Sequence, residues 1–287
     1  MILKRNTPLQ ELVYFSLFGL ITACAILLLV AVIGLLLSSG YAVLSWQFLT
    51  ESWQHREITK GGVFPAIFGS FMIGIGVSVV SFPLGIATAL FLTEYSKNQV
   101  LKRIIQLSIR NLAGVPSVVY GLFGLGIFVH MLSLGMSLLS AILTLSLMTL
   151  PWVIVSSAES LLSVPQKFRD SSLALGATPF QTTCRITLPC ALPGCITGSI
   201  IGVARAMGET APIILVGATF YMSRLPQSIL DPFMALPYHA FILATQHSSP
   251  HAFAYAAGTS VVLMVMTFVL SLGAILLRTY LRRRKNW

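Results

Sequence analysis

Two opposite charges, Arg205 and Glu209, sit four residues apart in an otherwise apolar stretch. A guanidinium offers a planar fork of donors that matches the oxygens of a tetrahedral anion. A carboxylate beside it can neutralise that fork at rest, or accept the hydrogen of a protonated anion. An Arg at the centre of a bilayer costs about 2.5–3.5 kcal/mol on insertion scales, so such residues face protein or a water-filled path and usually have a partner. At 100° per residue, Gly198, Gly202, Arg205, Glu209 and Pro212 fall within an arc of about 80° on one helix. Gly198 and Gly202 form a G-x-x-x-G, which permits close helix approach. Pro212 cannot donate to the carbonyl of Gly208, so that carbonyl is left free and the helix is weakened there. Thr210 adds a hydroxyl next to the pair. Two readings are open: an Arg–Glu pair that only locks helices together, or a charged face that meets the permeation pathway or a partner helix.

Composition defines what must position these groups. The 287 residues are 56% hydrophobic and 9% charged, with mean hydropathy +0.87. A soluble domain carries about 25% charged residues, so this chain cannot cover a water-exposed surface. The net charge of +10 does not mark a nucleic-acid binder, because the basic residues lie in short clusters between apolar runs, as in the loops of a membrane protein. Apolar runs near the bilayer-spanning length of about 20 residues predict six transmembrane helices, at 13–37, 67–92, 109–131, 137–161, 195–220 and 254–277. Their lack of strict alternation favours helices over a barrel. The first run is too long for a cleavable signal and reads as a retained helix.

The basic residues also set orientation. Fourteen of the eighteen, among them Lys4, Arg5, Lys97, Lys102, Arg103, Arg110, Lys167, Arg169, Arg185 and the cluster Arg278 to Lys285, fall on one side. Only Arg56, Lys60 and Arg224 fall on the other, and Arg205 is inside a span. Both termini are therefore expected in the cytoplasm. The basic C-terminus reads as a topology anchor, with contact to anionic membrane lipid as a lesser alternative.

Several groups carry no chemistry of their own. Cys24, Cys184, Cys190 and Cys195 form no CxxC and match no zinc spacing. His247 and His251 are four apart, but no cysteine or carboxylate completes a metal site, so they read as part of a solvated loop. His130 ends the third span at the interface. Apart from Arg205 and Glu209 the spans hold almost no ionisable groups, so a nucleophile, base and orienter cannot be assembled. No catalytic or metal-ligating residue is assigned.

The longest inner loop, Val164 to Pro189, is punctuated like a folded element. Pro165 can begin a helix and Gly176 can end it in a left-handed turn. Thr178, Pro179 and Gln181 form a capping-box start for a second helix, which Pro189 is expected to close. Asp170-Ser171-Ser172, Gly176, Ile186, Leu188 and Pro189 stand in the spacing of the coupling loop of ABC importer permeases, Glu-Ala-Ala, three residues, Gly, nine residues, Ile, one residue, Leu-Pro. The substitutions keep charge and small size. Ala204 to Pro212, reading Ala-Arg-Ala-Met-Gly-Glu-Thr-Ala-Pro, resembles bacterial phosphate permeases of the PstA/PstC type, a CysTW/PstA–PstC-like subfamily of binding-protein-dependent importer permeases. Leu112 to Gly124 and Gly61 to Ile67 resemble it too, and Asp231 to Pro237 fits the PstA-type subunit better.

The resemblance implies an all-α integral membrane fold of the type I ABC importer permease class. Residues 1–65 would hold a cytoplasmic tail, the first helix and an outer loop, 66–277 the permease core with five spans, and 278–287 a basic tail. It implies transport of phosphate across the bacterial inner membrane. Arg205, Glu209 and Thr210 would lie on the substrate path, with Gly198, Gly202, Gly208 and Pro212 shaping the helix. The small Ser171 and Ser172 would let the loop sit close to an ATPase. The chain has no G-x-x-x-x-G-K-[ST] loop, so ATP and magnesium would be bound by a partner ATPase dimer. A second, PstC-type permease subunit and a periplasmic phosphate-binding protein complete the implied assembly. Another oxyanion (sulfate, molybdate or a phosphonate), or a phosphate-sensing scaffold with little flux, stands as the alternative.

Overall fold

The computed structural model describes residues 8–54, 58–222 and 224–283. Lys4, Arg5, Arg56, Arg284 and Lys285 lie outside the described residues. Among the described residues, ten helices longer than the five-residue turn Trp46–Thr50 carry the architecture: α1 (Pro8–Gly40), α2 (Phe64–Tyr95), α3 (Gln99–Ala113), α4 (Ser117–Met131), α5 (Leu138–Leu162), α6 (Gln166–Ala174), α7 (Pro179–Met207), α8 (Ala211–Val216), α9 (Leu236–Thr245) and α10 (Ala252–Arg283). Among the described residues, α1, α2, α5, α7 and α10 are each long and apolar enough to cross a membrane, and the bent pair α3–α4 makes a sixth crossing if counted as one. Among the described residues, one isolated β-bridge joins Ala218 and Phe233.

The core is a bundle in which α2, α5 and α7 pack on one another. Its centre joins Ile73 and Val77 of α2, Leu145 and Met148 of α5, and Ala206 and Met207 of α7. One end gathers Leu92, Ile109, Leu161, Val164 and Cys195; the other gathers Phe48, Trp53, Val63, Met234 and Leu243. The basic stretches 97–110 and 167–185 thus share one end, and the segments around Lys60 and Arg224 belong to the opposite one. In α1, no residue of its most apolar stretch is buried, and only Ile33 and Leu36 within it are partly covered. It meets the bundle over its last two turns, and at Gly40 it approaches the backbone of Gly258 so closely that an added Cβ would lie 2.7 Å from the Gly258 nitrogen. The rest of α1 presents Leu, Ile, Val and Phe outward, as lipid requires.

The chain departs from the expected spans at two points. The third run, expected straight from 109 to 131, is bent by 101° between α3 and α4. Gly114, Val115 and Pro116 fall at the corner, and a residue before proline is pushed out of the helical region. The fifth run, expected from 195 through to 220, belongs to a helix that already begins at Pro179 and stops at Met207; the chain restarts as the six-residue α8 and turns at Gly217. Gly217 has φ +146°, and a Cβ there would stand 2.5 Å from the Ser137 nitrogen. Only glycine permits both the turn and the close passage of the α4–α5 connection.

At the end occupied by Trp53, α9 buries His239 completely. Its ring lies edge-to-face with Trp53 at 4.5 Å and stacks on Phe220 at 4.9 Å. Among the described residues, neither ring nitrogen has a well-formed hydrogen bond. Burial therefore pushes its pKa down to about 3; the Phe220 backbone opposes this in part and His247 adds to it. An unfolded histidine binds its proton near pH 6.5, so stability is fully present above that value and lost as pH falls from 6.5 towards 3. The expected slope is about 1.4 kcal/mol per pH unit within that window. A melting-temperature series in detergent should show this acid loss, and His239→Leu should flatten it.

Candidate functional site

Three residues that share a face in sequence share it in the fold. Gly198 packs on Ser156 of α5, where a Cβ would collide with the serine side chain, and Gly202 lies against Trp152 and Val153 with ordinary room. The glycines thus seat α7 on α5 of the same chain. Gly194 does the same one turn earlier, with the Ser160 side chain in the way of any Cβ. One turn beyond Gly202, Arg205 crosses the face of Trp152, its guanidinium carbon 5.1 Å from the ring centroid. Trp152 lies roughly 20 Å along α5 from its first residue at 1.5 Å per residue, which puts the pair near the middle of the bundle.

Arg205 is the open member of the pair. Its side chain is 55% exposed and that of Glu209 is 19% exposed. Arg205 Nε is 3.7 Å from Glu209 Oε1, beyond hydrogen-bond distance. The attraction is thus Coulombic, and all five guanidinium N–H groups remain without an acceptor among the described residues. At membrane depth such donors need water, a partner chain or an anion.

The pair straddles a helix break. Gly208 caps α7, its N–H on the Arg205 carbonyl at 3.0 Å, and Glu209 N–H bonds the Ala206 carbonyl at 3.2 Å. Thr210 is the residue before α8, and its side chain caps nothing. Pro212 is buried in α8 against Gly121 of α4, where a Cβ would lie 2.8 Å from the Pro212 Cα. The bend expected from Pro212 is therefore a full interruption, and Pro212 belongs to a separate helix from the glycine face.

The inner loop folds largely as its punctuation predicts. α6 begins after Pro165, and Gly176 turns left-handed at φ +85°. The capping box is complete: Gln181 N–H donates to Thr178 Oγ1 at 3.2 Å, and Thr178 N–H donates to Gln181 Oε1 at 2.9 Å. Two expectations need correction. Pro189 does not close the second helix, because α7 runs unbroken from Pro179 to Met207. A wide π-helical turn at Thr183–Thr187 precedes it, so the missing proline N–H falls where the ladder is already rearranged. Ser172 does not present a small surface outward. It is buried, with its Oγ 2.9 Å from Thr182 Oγ1, and it pins α6 to the start of α7. Asp170 and Ser171 are exposed, Asp170 accepting from Gln166 at 3.1 Å, while Ile186, Leu188 and Pro189 are half-buried.

Other residues were hidden from sequence reasoning. Leu173, Leu175 and Phe180 project from the loop, Leu175 at 89% exposure; apolar residues in a polar loop were the available signal. Arg169, counted only as a basic residue, clamps three elements. Its Nε and Nη2 meet the two carboxylate oxygens of Glu94 at 3.3 and 2.9 Å. Nη2 also donates to the Leu161 carbonyl at 2.9 Å, and Nη1 to that of Val164 at 2.6 Å. Both side chains are nearly buried, at 12% and 13% exposure. Nothing in sequence joins Glu94 to Arg169, which are 75 residues apart.

A bundle of apolar helices with one interrupted span, a mid-membrane cation at the interruption and an ordered two-helix loop at one end defines a transport permease, and relatives agree that such chains are membrane subunits rather than enzymes. The chain belongs to the family described as binding-protein-dependent transport system inner membrane component, which matches residues 81–287. It is 32% identical over 253 residues to the phosphate transport system permease protein PstA 1 of Mycobacterium tuberculosis, covering 84% of this chain and 80% of that one. It is 29% identical over 290 residues to the probable ABC transporter permease protein YqgI of Bacillus subtilis, covering 97% and 98%. In three dimensions it is similar to a chain of a bacterial ABC transporter involved in import of the acidic polysaccharide alginate, with TM-score 0.67, 18% identity and 96% of both chains covered. A chain of the inward-facing MetNI methionine ABC transporter aligns with TM-score 0.60 and 18% identity, covering 77% of this chain and 94% of that one. The fold is that of a type I ABC importer permease in a multi-pass membrane protein.

Removing one partner of a nearly buried, hydrogen-bonded pair leaves the other charge uncompensated, at a cost of about 3 kcal/mol. Arg169→Ala should cost more than Glu94→Gln, since it also strips donors from two carbonyls. Thermal unfolding of the purified variants in detergent checks the order.

Proposed function

We propose that this chain is one half of the translocation pathway of an ATP-driven importer of inorganic phosphate, resident in the bacterial inner membrane with both termini in the cytoplasm. A PstC-type permease faces it, a periplasmic phosphate-binding protein delivers substrate, and two ATPase subunits below bind ATP and magnesium. The single observation that carries the reading is Arg205, held at mid-bundle with an unspent donor fork on an open face. The PstA names among relatives and the Arg-Ala-Met-Gly-Glu-Thr stretch favour phosphate over other oxyanions. Glu209 adds a physical reason. Both common forms of phosphate carry a P–OH hydrogen that a carboxylate accepts, whereas sulfate has none and is repelled.

The loose Arg205–Glu209 contact suits transport, since a guanidinium not bonded to its carboxylate can turn to an arriving anion and release it again. Thr210 lies beside the pair, and Gly208 leaves the break open. At the loop, exposed Leu175 and Phe180 dock in a groove of the ATPase, and the Ser172–Thr182 and Arg169–Glu94 contacts make the loop move with the helices above it. Roughly 40 Å of helix at 1.5 Å per residue then links the docking point to Arg205.

Arg205→Ala and Glu209→Ala should lower phosphate uptake by about tenfold to a hundredfold, the loss expected for hydrogen bonds to a charged group, while the complex still assembles. Reconstituted vesicles with the binding protein and radiolabelled phosphate test this. Wild-type uptake by assembled Arg205→Ala complex would refute a role on the path, and competition by sulfate or molybdate as strong as by phosphate would move the substrate to another oxyanion.

A further inference from the structure

The helix α3 stands apart from the charged pair, and its three faces are unlike. At 100° per residue, Gln99, Lys102, Arg103, Gln106 and Arg110 fall within an arc of about 100°. A second face, Ile105 and Ile109, packs into the cluster with Leu92, Leu161 and Val164. A third face carries Val100, Ile104 and Leu107, which are 67%, 56% and 49% exposed. Lys102, Arg103 and Arg110 have no acidic partner among the described residues. Asn98 caps the helix, its Oδ1 accepting from the N–H groups of Val100 and Leu101 at 3.0 and 3.3 Å. The 101° corner at Gly114–Pro116 turns α3 across the axis of α4.

We infer that α3 lies in the headgroup layer of the cytoplasmic leaflet and binds anionic phospholipid, with Lys102, Arg103 and Arg110 on the headgroups and Val100, Ile104 and Leu107 among the acyl chains. A helix that crosses a bilayer cannot carry a basic stripe along half its length, and a water-exposed helix does not leave three large aliphatic residues bare on one side. A charged stripe flanked by an exposed apolar face, with little net hydrophobicity, is the pattern of a helix lying in the interface. The position agrees: α3 packs at the end that gathers most of the basic residues, the side expected to face the negatively charged leaflet. A partner protein on the apolar face alone would leave the three cations unmatched, whereas an anionic lipid satisfies both faces at once.

The test uses the intact complex extracted from membranes. Native mass spectrometry should find phosphatidylglycerol retained on wild type over phosphatidylcholine, and the triple variant Lys102→Gln, Arg103→Gln, Arg110→Gln should lower that preference by at least about tenfold, each basic residue near the surface contributing about fivefold. A photo-crosslinking amino acid at Leu107 should yield lipid adducts. Equal lipid preference in wild type and the triple variant, or crosslinking at Leu107 to a polypeptide, would overturn the inference. Neither readout measures phosphate uptake, so the result does not depend on which substrate is transported.

Discussion

The structure depends on a single constraint. In hydrocarbon, a backbone group or a charge without a partner costs several kcal/mol, so every irregularity must be enclosed or wetted. The interruption at Gly208–Thr210 is the main irregularity on a membrane-crossing helix, and it coincides with Arg205 and Glu209. A break in the ladder and an unspent guanidinium at the same depth reinforce each other: one frees backbone groups, the other demands polar company, and one watered path satisfies both. Gly217 and Pro212 exist to hold that break. Gly217 lets α8 end against Ser137, and Pro212 rests in the space opened by Gly121.

Small residues do the remaining work of bringing the elements close. On α7, Gly194 and Gly198 face Ser160 and Ser156, so the glycine stripe meets a serine stripe rather than another glycine face. Without a hydrophobic drive between helices in lipid, this close approach supplies the packing energy. It also fixes the rotation of α7, which is why Arg205, one turn further, lands on Trp152. The position of the cation is thus set by residues one to three turns away that never touch it.

Length, polarity and punctuation made much of this readable from sequence. The apolar runs mark four of the crossings to within a few residues, and the charged pair stands out because nothing else in the spans resembles it. Pro165, Gly176, Thr178 and Gln181 carry local rules, so the loop was legible at the level of caps. What escaped was tertiary. A hydropathy run cannot show that Pro116 turns a corner or that Pro212 begins a new helix, since both prolines sit in apolar surroundings that read as continuous. Glu94 and Arg169 look like two ordinary interfacial charges until the chain brings them together. Ser172 looks like a docking residue because it is small and near the surface in sequence, yet its hydroxyl found Thr182.

The continuity of α7 through Pro189 has a mechanical consequence. Had the second loop helix ended there, the loop would be hinged to the membrane span, and motion below would be absorbed at the joint. Instead α7 passes through Pro189 and Pro193 to Met207, so its one soft place, the π-helical turn at Thr183–Thr187, lies inside the loop region and is flanked by the Ser172–Thr182 contact. Arg169 ties α6 to the ends of α2 and α5 at the same level. Displacing the loop therefore displaces the ends of three helices together, and the first free joint along α7 is Gly208. The compliance of the chain is concentrated beside the charged pair, so a motion imposed at one end is expressed as a change in the geometry of Arg205 and Glu209 rather than spent along the way.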